Sequence, residues 1–162
     1  MPLIFLVLTL IRFFDVDLPS KIRLPEFYQG ESNVFSKEYK SGFLNFKDEK
    51  GRFTPDVTQI RSAEIVFVNQ YDSLWGIDPK GAGRKSTRIR FKKWRRNYIG
   101  YIDQNGDKIV LMQLVNFRNN KDGLRHYSSW GKEFEIGLGG WYESNQSPLI
   151  LVNITRSNLS IY

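Results

Sequence analysis

The chain has 162 residues, a length that suits one domain, and 41% apolar with 15% aromatic residues, which is enough for a packed core and too rich for a disordered chain. Lys and Arg number 24 against 17 Asp and Glu, a formal charge of +7, and there is no Cys and a single His. That inventory excludes disulfide staples, thiol catalysis, zinc fingers, iron–sulfur clusters and any metal site built on two histidines.

Pro2 to Ile11 is almost continuously apolar, with Thr9 its only polar interruption, and is closed by Arg12. Two readings stand for residues 1–14: the apolar stretch of an export signal or anchor, or an element of the core. No basic residue precedes the run and no small-x-small cleavage pattern follows it in Asp15-Val-Asp-Leu-Pro-Ser20. Residues 15–162 are expected to form one domain. The stretch 15–53 is punctuated by Pro19, Pro25, Gly30, Gly42 and Gly51, with Ser41–Phe46 as a short strand and Asp48–Gly51 as a turn. A helix follows. Thr54 is the predicted N-cap, Pro55 the first helical residue, and Asp56 a carboxylate at the positive end of the dipole. Val57, Ile60, Ala63, Phe67, Tyr71 and Leu74 form one apolar stripe, and Gly76 is positioned to end the helix. Arg61, Glu64, Gln70 and Asp72 are read as lying mostly off that stripe.

Strands are expected from there on. Arg88–Lys92 alternates basic and apolar residues, and a break near Lys92–Lys93 brings Trp94, Tyr98 and Ile102 into phase. Asn97–Ile102 pairs through the Asn105-Gly106 turn with the apolar run Lys108–Phe117, which suits a central strand. Arg118–Ser129 reads as a polar loop, Trp130–Leu138 as an alternating strand, and Pro148–Thr155 as a last strand that Leu159–Tyr162 extends. The predicted class is α+β: one main helix packed across a four-stranded antiparallel meander, with a cystatin-like shape.

The positive charge is local. Lys80, Arg84, Lys85, Arg88, Arg90, Lys92, Lys93, Arg95 and Arg96 fall within 17 residues that contain no acid, and the rest of the chain is slightly acidic. With Phe91, Trp94 and Tyr98 interleaved, residues Arg84 to Arg96 form the candidate anion-binding edge. Its candidate partners are an anionic membrane surface, a glycan or a protein, with nucleic acid ranked below them. A solvated strand edge, kept cationic against edge pairing, is the competing structural explanation.

Three segments carry a family resemblance. Thr54-Pro-Asp-Val-Thr-Gln-Ile-Arg-Ser-Ala-Glu64, Arg95–Asp103 with the following Asn105-Gly-Asp-Lys-Ile109, and Trp130–Gly140 resemble uncharacterised small exported proteins of the Bacteroidetes type. The resemblance spans roughly residues 53–162. It implies a helix-plus-meander fold and a cell-envelope or secreted location, with no activity to carry over. A cytoplasmic location is the expectation if residues 1–14 belong to the core.

No catalytic set stands out, and the chain is expected not to be an enzyme and to bind no cofactor or metal. His126 with Glu133 or Glu135 and Arg125 has the residue types of a ribonuclease-like site, but a loop histidine explains it as well. Glu133 and Glu135 share a predicted strand face, as solvated charges do. Asp103, Asn105 and Asp107 have part of a calcium-loop spacing but lack its Gly and terminal Glu. Gly81–Thr87 lacks phosphate-loop spacing. Gln113-Leu-Val-Asn-Phe117 has a faint likeness to the cystatin wedge without its final Gly. The expected function is thus a non-enzymatic envelope or secreted domain that binds through its basic edge. The alternative is a nucleic-acid-directed binder or ribonuclease-like protein.

Overall fold

A computed structural model describes residues 18–42, 44–77, 85–134 and 140–162. The apolar run at 1–14, Lys80, Arg84 and the Glu135–Leu138 part of a predicted strand lie outside the described residues. The fold is α+β. Its sheet is built from β1 (Ser20–Ile22), β2 (Ser32–Val34), β3 (Glu49–Phe53), β4 (Arg95–Asp103), β5 (Lys108–Val115), β6 (Ile150–Asn153) and β7 (Asn158–Ile161). The helices are α1 (Val57–Leu74), α2 (Thr87–Arg90), α3 (Asn120–His126) and α4 (Trp141–Asn145).

Among the described residues the sheet has seven strands, which corrects the four-stranded expectation. β4, β5, β6 and β7 are successive antiparallel neighbours. The far edge of β4 is shared: β2 runs parallel to it at Asn97 and Tyr98, and β3 runs antiparallel to it from Gly100 to Asp103. β1 closes that side by pairing with β2. Gly100 is required at the β3 contact, because a Cβ there would lie 2.6 Å from the Phe53 carbonyl oxygen.

Side-chain alternation separates two cores. Tyr98, Val110, Met112, Leu114, Ile150 and Val152 face α1, where they pack on Ile60, Ala63, Val66, Phe67 and Tyr71. Ile99, Tyr101, Ile109 and Leu111 face the other way, under Phe35, Leu44, Phe46 and Phe134. β4 and β5 are thus covered on both faces, which is why Lys108–Val115 reads as continuously apolar. A buried row of amides crosses the second face: Asn33 donates to Asn97 at 2.7 Å, and Asn97 to Gln113 at 3.0 Å. Lys21 of β1 donates to Asn33 at the row's outer end.

α1 starts later than predicted. Its N-cap is Asp56, which accepts from the Gln59 N–H at 2.8 Å while Gln59 Oε1 accepts from the Asp56 N–H at 3.0 Å. That reciprocal box satisfies two donors, whereas Thr54 has Val57 three residues on and can offer only one. Thr54 Oγ1 instead accepts from the Lys37 N–H. At the other end Gly76 adopts φ +63°, with Gly76 and Ile77 donating back to Ser73 and Asp72.

Six local expectations change. Arg88–Lys92 is not a strand: residues 87–90 are one helical turn, because Arg90 and Phe91 dock on α1 at helical spacing from Thr87. Glu49–Phe53 is a strand where a turn was predicted, held by pairing with β4, and the described part of Ser41–Phe46 is irregular. The polar stretch after Phe117 contains α3, capped by Asn119, which accepts from the Asp122 N–H at 2.9 Å. Trp130–Glu133 is a turn with one isolated bridge. β7 is a separate strand folded back on β6 and does not extend it.

Candidate functional site

The basic segment enters the structure as α2, a turn at 91–93, and the start of β4. Thr87, Arg90 and Phe91 face α1, so the intervening side chains are turned outward. Phe91 packs on Phe67 at 5.6 Å and edge-on to Tyr71 at 5.2 Å between ring centroids. Arg90 forms an ion pair with the buried Asp72 carboxylate and lies with its guanidinium 5.4 Å over the Phe91 ring.

The described cations of the segment do not form one edge. Arg96 is fully buried: its Nε donates to Glu64 Oε1 at 3.1 Å, and its Nη1 donates to the Phe91 carbonyl at 2.8 Å and to the Trp94 carbonyl. Its guanidinium lies 4.4 Å from the Tyr28 ring centroid. Arg95 points to the opposite face of the sheet, 4.2 Å over Phe117, and donates to Asn120. Arg96 is withdrawn from the predicted anion-binding set, since it is buried with fixed partners, while the half-buried Arg95 is turned away from the other cations. Lys85, Arg88, Lys92 and Lys93 are exposed. Arg90 is half-buried and tethered, and Trp94 is half-buried with its ring edge-on to Phe91.

These residues border a groove of about 580 Å³, lined by Lys85, Ile89, Arg90, Lys92, Lys93, Trp94 and Asn116. Among the described residues, no acidic side chain lines it. Lys92 also belongs to an adjoining hollow of about 530 Å³ with Arg23, Pro25, Tyr28, Gln29 and Gly30. The turn carrying Lys92 and Lys93 is pinned from both sides: the Gln29 N–H donates to the Lys92 carbonyl, and Arg96 holds the carbonyls on either flank.

Glu64 is the residue that sequence reading missed. It is as buried as Arg96, accepts from Tyr98 Oη at 2.7 Å, and faces the sheet between Ile60 and Phe67. The signal was its spacing, four residues after Ile60 and three before Phe67, which puts a carboxylate on the apolar stripe.

The remaining chemical candidates that the structure describes lie apart in the fold, most of them with other partners. His126 stacks flat on Trp141 at 4.2 Å, and its carbonyl accepts from Tyr142 Oη. Glu133 is exposed in the 130–133 turn. Asp103 Oδ1 accepts from the N–H groups of Asn105 and Asp107, both at 2.9 Å, which closes the hairpin. Asp107 accepts from Asn153 and pairs with Arg156. Gln113 is buried in the middle of β5, far in topology from any hairpin tip. Among the described residues, no group of three or more His, Asp or Glu side chains is placed to hold a metal ion, and no helix is long and apolar enough to cross a membrane.

Comparison with protein-family models, curated proteins and solved structures finds no match for this chain.

Proposed function

We propose that this protein is a non-enzymatic binding domain that docks on an anionic surface through the α2–β4 groove. The observation that carries the reading is the groove's composition. Lys85, Lys92 and Lys93 line it with Arg90, Arg88 is exposed beside it on α2, and no carboxylate is among its walls within the described residues. Exposed cations without acidic neighbours in the same groove attract polyanions by many small, screened contributions.

The reading puts the domain in the cell envelope or outside the cell. Support comes from the apolar run at residues 3–11 and the resemblance to small exported proteins. A cystatin-like outline, with α1 across the sheet, belongs to the same reading.

Nucleic-acid binding is the second reading, and Trp94 in the groove favours it. It is the weaker one because the other two interleaved aromatics, Phe91 and Tyr98, are buried against α1 and offer no base-stacking face.

The test is a titration of a fluorescent heparin-class polyanion with the parent chain and a variant carrying Lys85→Gln, Arg88→Gln, Lys92→Gln and Lys93→Gln. At about 1 kcal/mol for each cation near an anionic surface, the four changes together cost about 4 kcal/mol and weaken binding by several hundredfold at low salt. Thermal unfolding stays near the parent's, because all four side chains are exposed. Equal binding by parent and variant overturns the reading.

A further inference from the structure

We infer that the anionic surface is a lipid membrane and that Ile89 is the side chain that enters it. The inference rests on the anion-binding reading above and goes beyond it in naming the partner's chemistry. Ile89 is 59% exposed, on the outward side of the α2 turn. Lys85, Arg88 and Lys92 stand four before, one before and three after it, and Lys93 follows. Arg88 and Ile89 share the outward side of the α2 turn, with Lys85 just before it and Lys92 and Lys93 in the turn after it, so an aliphatic side chain stands among cations. Trp94 lines the same groove and is half-buried.

The choice of partner follows from what each ligand gives Ile89. A sulfated glycan or a nucleic-acid backbone meets the cations but offers an isoleucine no apolar phase. An anionic bilayer meets both: headgroup phosphates take the Lys and Arg side chains, and the acyl boundary takes Ile89. Trp94 is suited to the headgroup level, where amphipathic rings collect. One short helical turn carries this contact. Attachment is therefore reversible, dependent on anionic lipid, and sensitive to the one apolar side chain.

The experiment uses the full chain in co-sedimentation with phosphatidylcholine vesicles, with and without roughly 30 mol% phosphatidylglycerol, the anionic component on which such binding depends. The neutral vesicles are the reference for any contribution from the apolar sequence at 3–11. Heparin is the polyanion with no apolar phase, and a single-stranded RNA the second soluble probe. Ile89→Ser is expected to weaken the anion-dependent part of vesicle binding about fivefold, a fraction of what full burial of an Ile is worth, and to weaken heparin binding by less. Ile89→Trp keeps vesicle binding, and its emission shifts to the blue on anionic vesicles alone. Equal losses on vesicles and heparin, or no emission shift, overturn the membrane inference and leave anion binding standing. Binding to heparin or RNA without binding to anionic vesicles does the same. Failure to bind any of the three overturns both.

Discussion

Arg96 on β4 and Glu64 on α1 form an ion pair at 3.1 Å with both side chains at 0% exposure. From that buried position Arg96 reaches back along the chain to the carbonyls of Phe91 and Trp94. The pair therefore joins α1 to the sheet and also fixes the turn that displays Lys92 and Lys93. The most basic segment of the chain uses one cation inside to position others outside.

Removing one partner leaves an uncompensated buried charge. Glu64→Ala is expected to cost about 3–5 kcal/mol, and thermal unfolding falls by roughly 6–20 °C in a domain of this size. The double change Glu64→Met with Arg96→Met is milder, since no buried charge remains. A loss below about 1 kcal/mol for Glu64→Ala, measured by urea unfolding, contradicts the assigned role.

Buried phenols set the alkaline limit. Burial pushes the Tyr98 pKa well up, with the Glu64 carboxylate adding to it, and burial does the same to Tyr101, with Asp48 and Asp103 contributing. Tyr28 and Tyr71 are raised by burial as well. In the unfolded chain these phenols lose their protons near pH 10, while the folded chain retains them. Their stabilisation is complete below about pH 10 and is lost as pH rises toward the folded-state values. Phenolate absorbance is expected to rise in two parts, the second together with unfolding. Titration of all eight tyrosines at the ordinary value with the fold intact contradicts this.

The start of α1 distinguishes two neighbouring residues. Asp56→Ala is expected to cost about 1 kcal/mol and to speed hydrogen exchange at the Gln59 amide, whose acceptor it removes. Thr54→Ala leaves that amide protected, because Thr54 serves Lys37. The reverse pattern of exchange would place the cap at Thr54.

What could be read from the sequence followed from how local each signal was. The α1 stripe and the Asn105-Gly106 hairpin are short-range patterns, and both stand in the fold, except that Val57 at the head of the stripe is exposed. β1, β2 and β3 are three to five residues long and carry Ser20, Lys21, Ser32, Asn33 and Gly51. The strand form of β2 and β3 comes from partners on β4, including the amide contact between Asn33 and Asn97, 64 residues apart, and β1 then pairs with β2. Arg88–Lys92 fits a two-residue period and Thr87, Arg90 and Phe91 fit a helical one; so short a segment cannot decide, and docking on α1 does. The groove cations Lys85, Lys92 and Lys93 were legible as one run. The burial of Arg96 was not, because its partner Glu64 lies 32 residues away on another element.

The salt dependence of polyanion binding tests the central claim most directly. Four exposed cations, each displacing about 0.7 to 0.9 of a counterion, give log Kobs a slope of about −3 to −4 against log salt concentration. The variant lacking Lys85, Arg88, Lys92 and Lys93 charges is expected to bind weakly with a slope near zero. A variant that keeps the parent's slope and affinity would show that another face of the protein carries the binding.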